Sequence, residues 1–118
     1  MIDIVNVIAA IATIAFGAFG FLAPKYTMAA LDLAADGSTM GASEMRASVG
    51  GLFVAMGIYC LIWGAAPAYF MLGVAYAGAT AGRALSLVLD APPRRKVLIF
   101  GGIEAVLALW LIAMNGPA

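Results

Sequence analysis

Residues 47–82 read ASVGGLFVAMGIYCLIWGAAPAYFMLGVAYAGATAG and contain no charged side chain. As one helix, this stretch would be about 54 Å long, which is well beyond the ~30 Å hydrocarbon layer of a membrane. It must therefore fold back once, and Gly64-Ala65-Ala66-Pro67 contains its strongest helix breakers. The stretch predicts two membrane-crossing helices joined by a short turn.

Two further apolar stretches lie on either side of this one. Residues 4–24 carry no charge, and residues 97–114 carry only Glu104. The first is longer than the apolar part of a signal peptide, so we expect it to be retained. We predict helices at about residues 4–24, 46–64, 68–89 and 97–114, with a polar loop at 25–45 in which residues 28–33 could lie as a short interfacial helix. The predicted fold is all-α, an integral membrane four-helix bundle that forms a single domain over residues 1–118.

The composition agrees with a membrane protein. Apolar residues make up 65% of the chain and charged residues 10%, whereas ordinary globular domains are about 25% charged. So few charges could not cover a packed core in water, which excludes a soluble domain. We therefore expect the lipid bilayer as the surroundings, a larger membrane protein complex or a homodimer as the protein partner, and no nucleic acid.

The positive charges indicate how the helices are oriented. Lys25 and Arg46 flank the loop after the first helix, and the turn before the last helix contains RRK at residues 94–96. The two termini and the middle turn contain no Lys or Arg. Since short loops rich in these residues stay in the cytoplasm, we expect both termini to be periplasmic, in the inner membrane of a bacterium.

The residue inventory excludes several kinds of catalysis. The chain has no histidine and a single cysteine, Cys60, so imidazole chemistry and an internal disulfide are both absent. No serine has a candidate base at a recognisable spacing. We assign no catalytic residue, no metal site and no cofactor, and the inventory favours a non-enzymatic protein without deciding the question.

Glycine spacing indicates where helices pack closely. Gly78 and Gly82 form a GxxxG motif, and Gly50 and Gly57 lie seven residues apart. Small residues let helix backbones approach each other in lipid, where packing contacts drive association. We predict that these glycines lie at helix contacts, either within the chain or along the seam of a homodimer.

Two charges, Arg83 and Glu104, interrupt apolar segments. A charge at the centre of a membrane helix costs about 2.5–3.5 kcal/mol on insertion scales. Each lies seven or eight residues from the polar turn at 90–96, about 10–12 Å along its helix, so their depths match. We therefore predict an ion pair across two antiparallel helices.

This pair is either a packing device alone or part of a site for a ligand, a proton or a lipid headgroup. Tyr76 and Thr80 recur with Arg83 at helical spacing, which places them on one face. The candidate ligand or proton site residues are Arg83, Glu104, Arg46, Asp90, Tyr76 and Thr80.

Three stretches carry a likeness to a known family: Phe16–Pro24 (FGAFGFLAP), Arg46–Gly57 (RASVGGLFVAMG) and Gly82–Asp90 (GRALSLVLD). On these residues the chain resembles the bacterial membrane proteins of domain-of-unknown-function family 4345. The resemblance implies a four-helix fold and marks the arginines and carboxylates among the candidate residues. It implies no activity.

Three functions are consistent with these features. The favoured hypothesis is a non-enzymatic scaffold or accessory subunit of a membrane complex, since the loops are small and no catalytic set is present. The alternative is a small transporter, or a bundle that binds lipid or a small molecule, using Arg83 and Glu104. The third is an intramembrane enzyme that holds a phosphate with Arg46, Arg83 or Arg94.

Overall fold

The chain is helical, and no strand occurs in the residues that the structure describes. This computed structural model describes the backbone of residues 2–117 and the side chains of residues 4–117. The predicted all-α class is therefore confirmed. Met1 and Ala118, the ends of the predicted domain, lie outside the described residues.

Six α-helices and one π-helical segment follow one another along the described residues. They are α1 (Ile2–Leu22), α2 (Pro24–Ala30), α3 (Met40–Glu44), the π segment (Met45–Gly51), α4 (Leu52–Trp63), α5 (Ala66–Leu89) and α6 (Arg94–Asn115). Because α3, the π segment and α4 are continuous, we call Met40–Trp63 the long helix. Four stretches are long and apolar enough to cross a membrane: Ile4–Leu22, Met40–Trp63, Ala66–Leu89 and Arg94–Asn115.

Glycine and proline set the breaks between helices. Gly64 ends the long helix with a φ of 62°, a left-handed conformation that costs little without a side chain. Pro67 lies in the first turn of α5 and Pro24 in the first turn of α2. Backbone N–H groups in a first turn have no partner within the helix, so proline loses no hydrogen bond there. The turn between the two apolar helices is thus where the sequence predicts it.

The polar ends of the helices differ from the prediction. The long helix begins at Met40 and α6 at Arg94, whereas the sequence predicts starts near residues 46 and 97. The predicted loop at 25–45 also contains α2 and α3. Hydropathy marks only the apolar middle of a helix, while Lys, Arg and Glu are good helix formers that extend it into polar sequence.

The chain divides into two compact units, residues 3–63 and residues 64–117. In the first unit, α1 packs closely against the long helix. A Cβ atom at Gly50 would lie 2.5 Å from the Phe21 amide nitrogen, and one at Gly57 would lie 2.5 Å from Ile14 Cγ1. Both glycines therefore lie at a helix contact that no larger residue would permit without a shift.

In the second unit, α5 and α6 form an antiparallel pair. A Cβ atom at Gly73 would lie 2.8 Å from the Leu111 Cβ, and one at Gly116 would lie 3.3 Å from the Phe70 ring. The buried residues of α5 are Tyr69, Leu72, Gly73 and Tyr76, which share one face of the helix. Gly73 lies on this face at the contact with α6.

No neighbouring helix of the described residues crowds the GxxxG motif, which contradicts the within-chain contact predicted for Gly78 and Gly82. A Cβ atom at Gly78 or Gly82 would meet no heavy atom within 4 Å among the described residues. At ~100° per residue, Gly78 and Gly82 lie about 140° and about 180° around α5 from Gly73, which contacts α6. The motif therefore lies on the side of α5 that faces away from α6, and only its homodimer alternative stays a prediction.

Candidate functional site

Arg83 and Glu104 form the predicted ion pair in the second unit. Arg83 Nε donates to Glu104 Oε1 at 2.7 Å, and Arg83 Nη2 donates to Glu104 Oε2 at 3.2 Å. Two parallel hydrogen bonds between a guanidinium and a carboxylate make the strong, orientation-specific form of ion pair. The pair joins α5 to α6, and the ion pair predicted across two antiparallel helices is present.

The surroundings of the pair support the arginine side chain. The Phe100 ring centre lies 5.5 Å from Arg83 Cζ, which is within the range of a cation–π contact. A Cβ atom at Gly101 would lie 3.4 Å from Arg83 Cδ, so the glycine leaves room for the aliphatic stem. The side chains of Arg83 and Glu104 are 33% and 16% exposed, respectively. Both charges therefore have an opposite charge in contact while one side of the pair stays open.

The other candidates on α5, and Asp90 just after it, have different surroundings. Ser86 Oγ donates to Asp90 Oδ2 at 3.0 Å, at the end of the helix. Thr80 Oγ1 donates to the Tyr76 carbonyl oxygen at 2.9 Å, one turn back along the helix. The Tyr76 side chain is buried. Among the α5 candidates, Arg83 is the one that forms the ion pair with Glu104.

Arg46, the remaining candidate, lies in the first unit and is described there by itself. It is the second residue of the π segment, and its Nη1 donates to the Phe21 carbonyl oxygen at 2.7 Å. Phe21 lies in the last turn of α1, where carbonyl groups have no partner within the helix. Arg46 therefore caps the carboxyl end of α1, where a positive charge also interacts favourably with the helix dipole.

A surface cleft that the sequence did not reveal lies beside Arg46. Its volume is about 880 Å³, and it is bordered by the end of α1, by α2 and by the beginning of the long helix. The polar residues that line it are Lys25, Tyr26, Thr39, Ser43 and Arg46. The sequence signal was the pair of cations flanking the predicted loop, but only the folded α2 brings them to one cleft.

The described residues contain no group of three His, Cys, Asp or Glu side chains that could hold a metal ion. Cys60 is buried in α4 and is not part of a disulfide. The two sites carry charged groups: an ion pair with one open side in one unit and a cationic cleft in the other.

One comparison with known proteins finds a match. The family described as "Domain of unknown function (DUF4345)" matches residues 1–114. No curated protein and no solved structure matches the chain.

Proposed function

The chain belongs to the DUF4345 family, and we propose that it is a non-enzymatic membrane protein that serves as a scaffold or accessory subunit of a larger membrane complex. The observation that carries this proposal is the Arg83–Glu104 ion pair, whose two hydrogen bonds join neighbouring helices. Pairing two opposite charges in this way lowers the free-energy cost that each charge would have alone in hydrocarbon. The ion pair holds α5 and α6 together.

We infer that the protein is a four-helix bundle in the inner membrane of a bacterium, with both termini periplasmic. Four stretches of sufficient length and apolarity support a multi-pass membrane protein. The location of Lys25, Arg46 and residues 94–96 near two of the three connections supports the orientation. The family resemblance supports the bacterial inner membrane.

The scaffold proposal is tested by purification in a gentle detergent followed by native mass spectrometry. We expect a protein partner at fixed stoichiometry with the wild-type chain. The Arg83→Leu/Glu104→Leu double variant should keep this partner, because removing both charges together leaves neither one unpaired. A wild-type chain that carries no protein partner at fixed stoichiometry contradicts the proposal.

The alternative is a small transporter or a lipid-binding or small-molecule-binding bundle that uses the same pair. The observation that favours it is the open side of the pair, where 33% of the Arg83 side chain is exposed. A proton or an anion could compete for the pair from that side. In this case the double leucine variant, reconstituted in vesicles, should lose a proton or anion flux that the wild type shows.

A further inference from the structure

The cleft in the first unit concentrates positive charge. Lys25 and Arg46 line it, and no Asp or Glu is among its lining residues. Within the described residues, neither cation has a carboxylate within 4.0 Å, the distance that defines an ion pair. The net charge of the cleft is therefore positive, and an anion entering it meets no repelling carboxylate.

Hydrogen-bond donors accompany these charges. Arg46 Nη1 donates to the Phe21 carbonyl oxygen, and the guanidinium group has further N–H donors. Tyr26, Thr39 and Ser43 add hydroxyl groups to the lining. Guanidinium, ammonium and hydroxyl donors around one space are the set that binds a phosphate group.

The position of the cleft relates it to a lipid surface. It lies where the candidate membrane span Ile4–Leu22 ends and where the candidate span Met40–Trp63 begins. In a bilayer crossed by these two spans, their ends would lie at the level of the lipid headgroups. The rest of its lining is apolar and comes from residues 21–24 and from two alanines of the long helix. A ligand that fits both parts carries a phosphate and an adjoining apolar chain.

The backbone also departs from a regular helix here. Arg46 lies in the π segment Met45–Gly51, and such segments inside α-helices occur frequently at functional sites. The hydrogen bond to Phe21 fixes the side chain between α1 and the long helix. The guanidinium is thus held in place before any ligand arrives.

We propose that this cleft binds the phosphate headgroup of an anionic phospholipid, with Lys25 and Arg46 contacting the phosphate and residues 21–24 contacting the start of the acyl chains. This inference goes beyond the scaffold function, because a lipid held at this cleft requires no protein partner. The expected preference is electrostatic: it weakens as the ionic strength rises.

The test uses the full chain in detergent, titrated with phosphatidylglycerol or with phosphatidylcholine of the same acyl chains, and native mass spectrometry counts the bound lipids. We expect one phosphatidylglycerol bound at least about tenfold more tightly than phosphatidylcholine. Lys25→Gln should weaken phosphatidylglycerol binding by about tenfold or more, the loss expected for a charge-assisted hydrogen bond.

Matched controls separate this site from general attraction to cations. Arg95→Gln removes the same charge from an exposed position in α6 and should leave lipid binding unchanged. Lys25→Gln is preferred to Arg46→Gln because Arg46 also caps α1, and circular dichroism verifies the helix content of each variant. Equal loss in the Lys25 and Arg95 variants, or equal binding of the two lipids, would overturn the proposal.

A third arm distinguishes a lipid from a free anion. Inorganic phosphate is added to the protein in place of lipid and then in competition with phosphatidylglycerol. We expect it to displace the lipid only at concentrations far above that of the lipid, because it lacks the apolar contacts. If inorganic phosphate binds as tightly as phosphatidylglycerol, the cleft is a site for a free anion and the lipid assignment is wrong.

Discussion

At the scale of single residues, the Arg83–Glu104 pair makes a double-variant prediction. Arg83→Leu or Glu104→Leu alone should lower stability by about 1–3 kcal/mol, because each leaves one partly buried charge without its partner. The double leucine variant should recover most of this loss. Thermal unfolding in detergent measures the three variants against the wild type.

An exposed arginine serves as the control for this experiment. Arg95→Leu removes a charge at the start of α6 and should change stability by less than about 0.5 kcal/mol. If the double variant loses as much stability as the two single variants lose together, the charges do not depend on each other. The ion pair then does not stabilise the contact between α5 and α6.

Two glycines make a second prediction at this scale. Gly57→Ala should destabilise the first unit by about 1–3 kcal/mol, because the new methyl group would lie 2.5 Å from Ile14 Cγ1 and 2.8 Å from the Ala10 carbonyl oxygen. Gly102→Ala is the matched control, since a Cβ there meets nothing within 4 Å among the described residues. It should leave stability unchanged or raise it by up to about 1 kcal/mol.

Melting temperatures of the two variants check this contrast. A loss of stability at Gly102 as large as that at Gly57 would mean that helix propensity or lipid contact, and not the close approach of α1 to the long helix, decides the effect.

At the scale of helices, the GxxxG motif predicts a separation between folding and assembly. Gly82→Leu should leave the α5–α6 pair folded, because a Cβ atom at Gly82 would meet no described heavy atom within 4 Å. If a partner helix packs on this side of α5, the leucine should release it from the complex. Native mass spectrometry follows the partner, and thermal unfolding follows the fold.

Gly102→Leu is the control for this variant, because it adds the same bulk to an uncrowded glycine on α6. Loss of the folded protein in Gly82→Leu would contradict the described placement of the motif. Retention of the partner would show that this side of α5 is not the scaffold surface.

The helices also show what a sequence pattern can and cannot reveal. The charge-free run and its Gly64–Pro67 break were sufficient to predict the turn between the long helix and α5. The matched depths of Arg83 and Glu104 predicted their contact, because a short turn fixes the register of two neighbouring helices. In contrast, Gly50 and Gly78 look alike in sequence, and only the close approach of Gly73 to Leu111 shows which side of α5 packs against α6.

The cleft could not be predicted from the sequence for a related reason. Its cations are far apart in the sequence, with Lys25 in α2 and Arg46 in the π segment. Neither a helical period nor a spacing rule joins two residues across a loop whose folded form contains further short helices. The hydropathy pattern likewise could not locate the polar beginnings of the long helix and α6.

At the scale of the whole molecule, the orientation can be tested by cysteine labelling. In a Cys60→Ala background, Arg95→Cys should stay unmodified by a membrane-impermeant thiol reagent in intact cells, because residue 95 is expected in the cytoplasm. Ala65→Cys, in the exposed turn before α5, should be modified. Mass spectrometry of the purified variants measures the labelling, and the reverse pattern would mean that the orientation is wrong.

The neutrality of the Arg83–Glu104 ion pair determines how the pair responds to the membrane potential. Carrying a single elementary charge across the field requires about 2.3 kcal/mol per 100 mV. Because the two partners lie at one depth and sum to zero, their transfer as a pair does almost no net electrical work. A polarised membrane would therefore neither drive nor oppose the entry of these two groups, and the ion pair should hold α5 and α6 together equally well when the potential collapses.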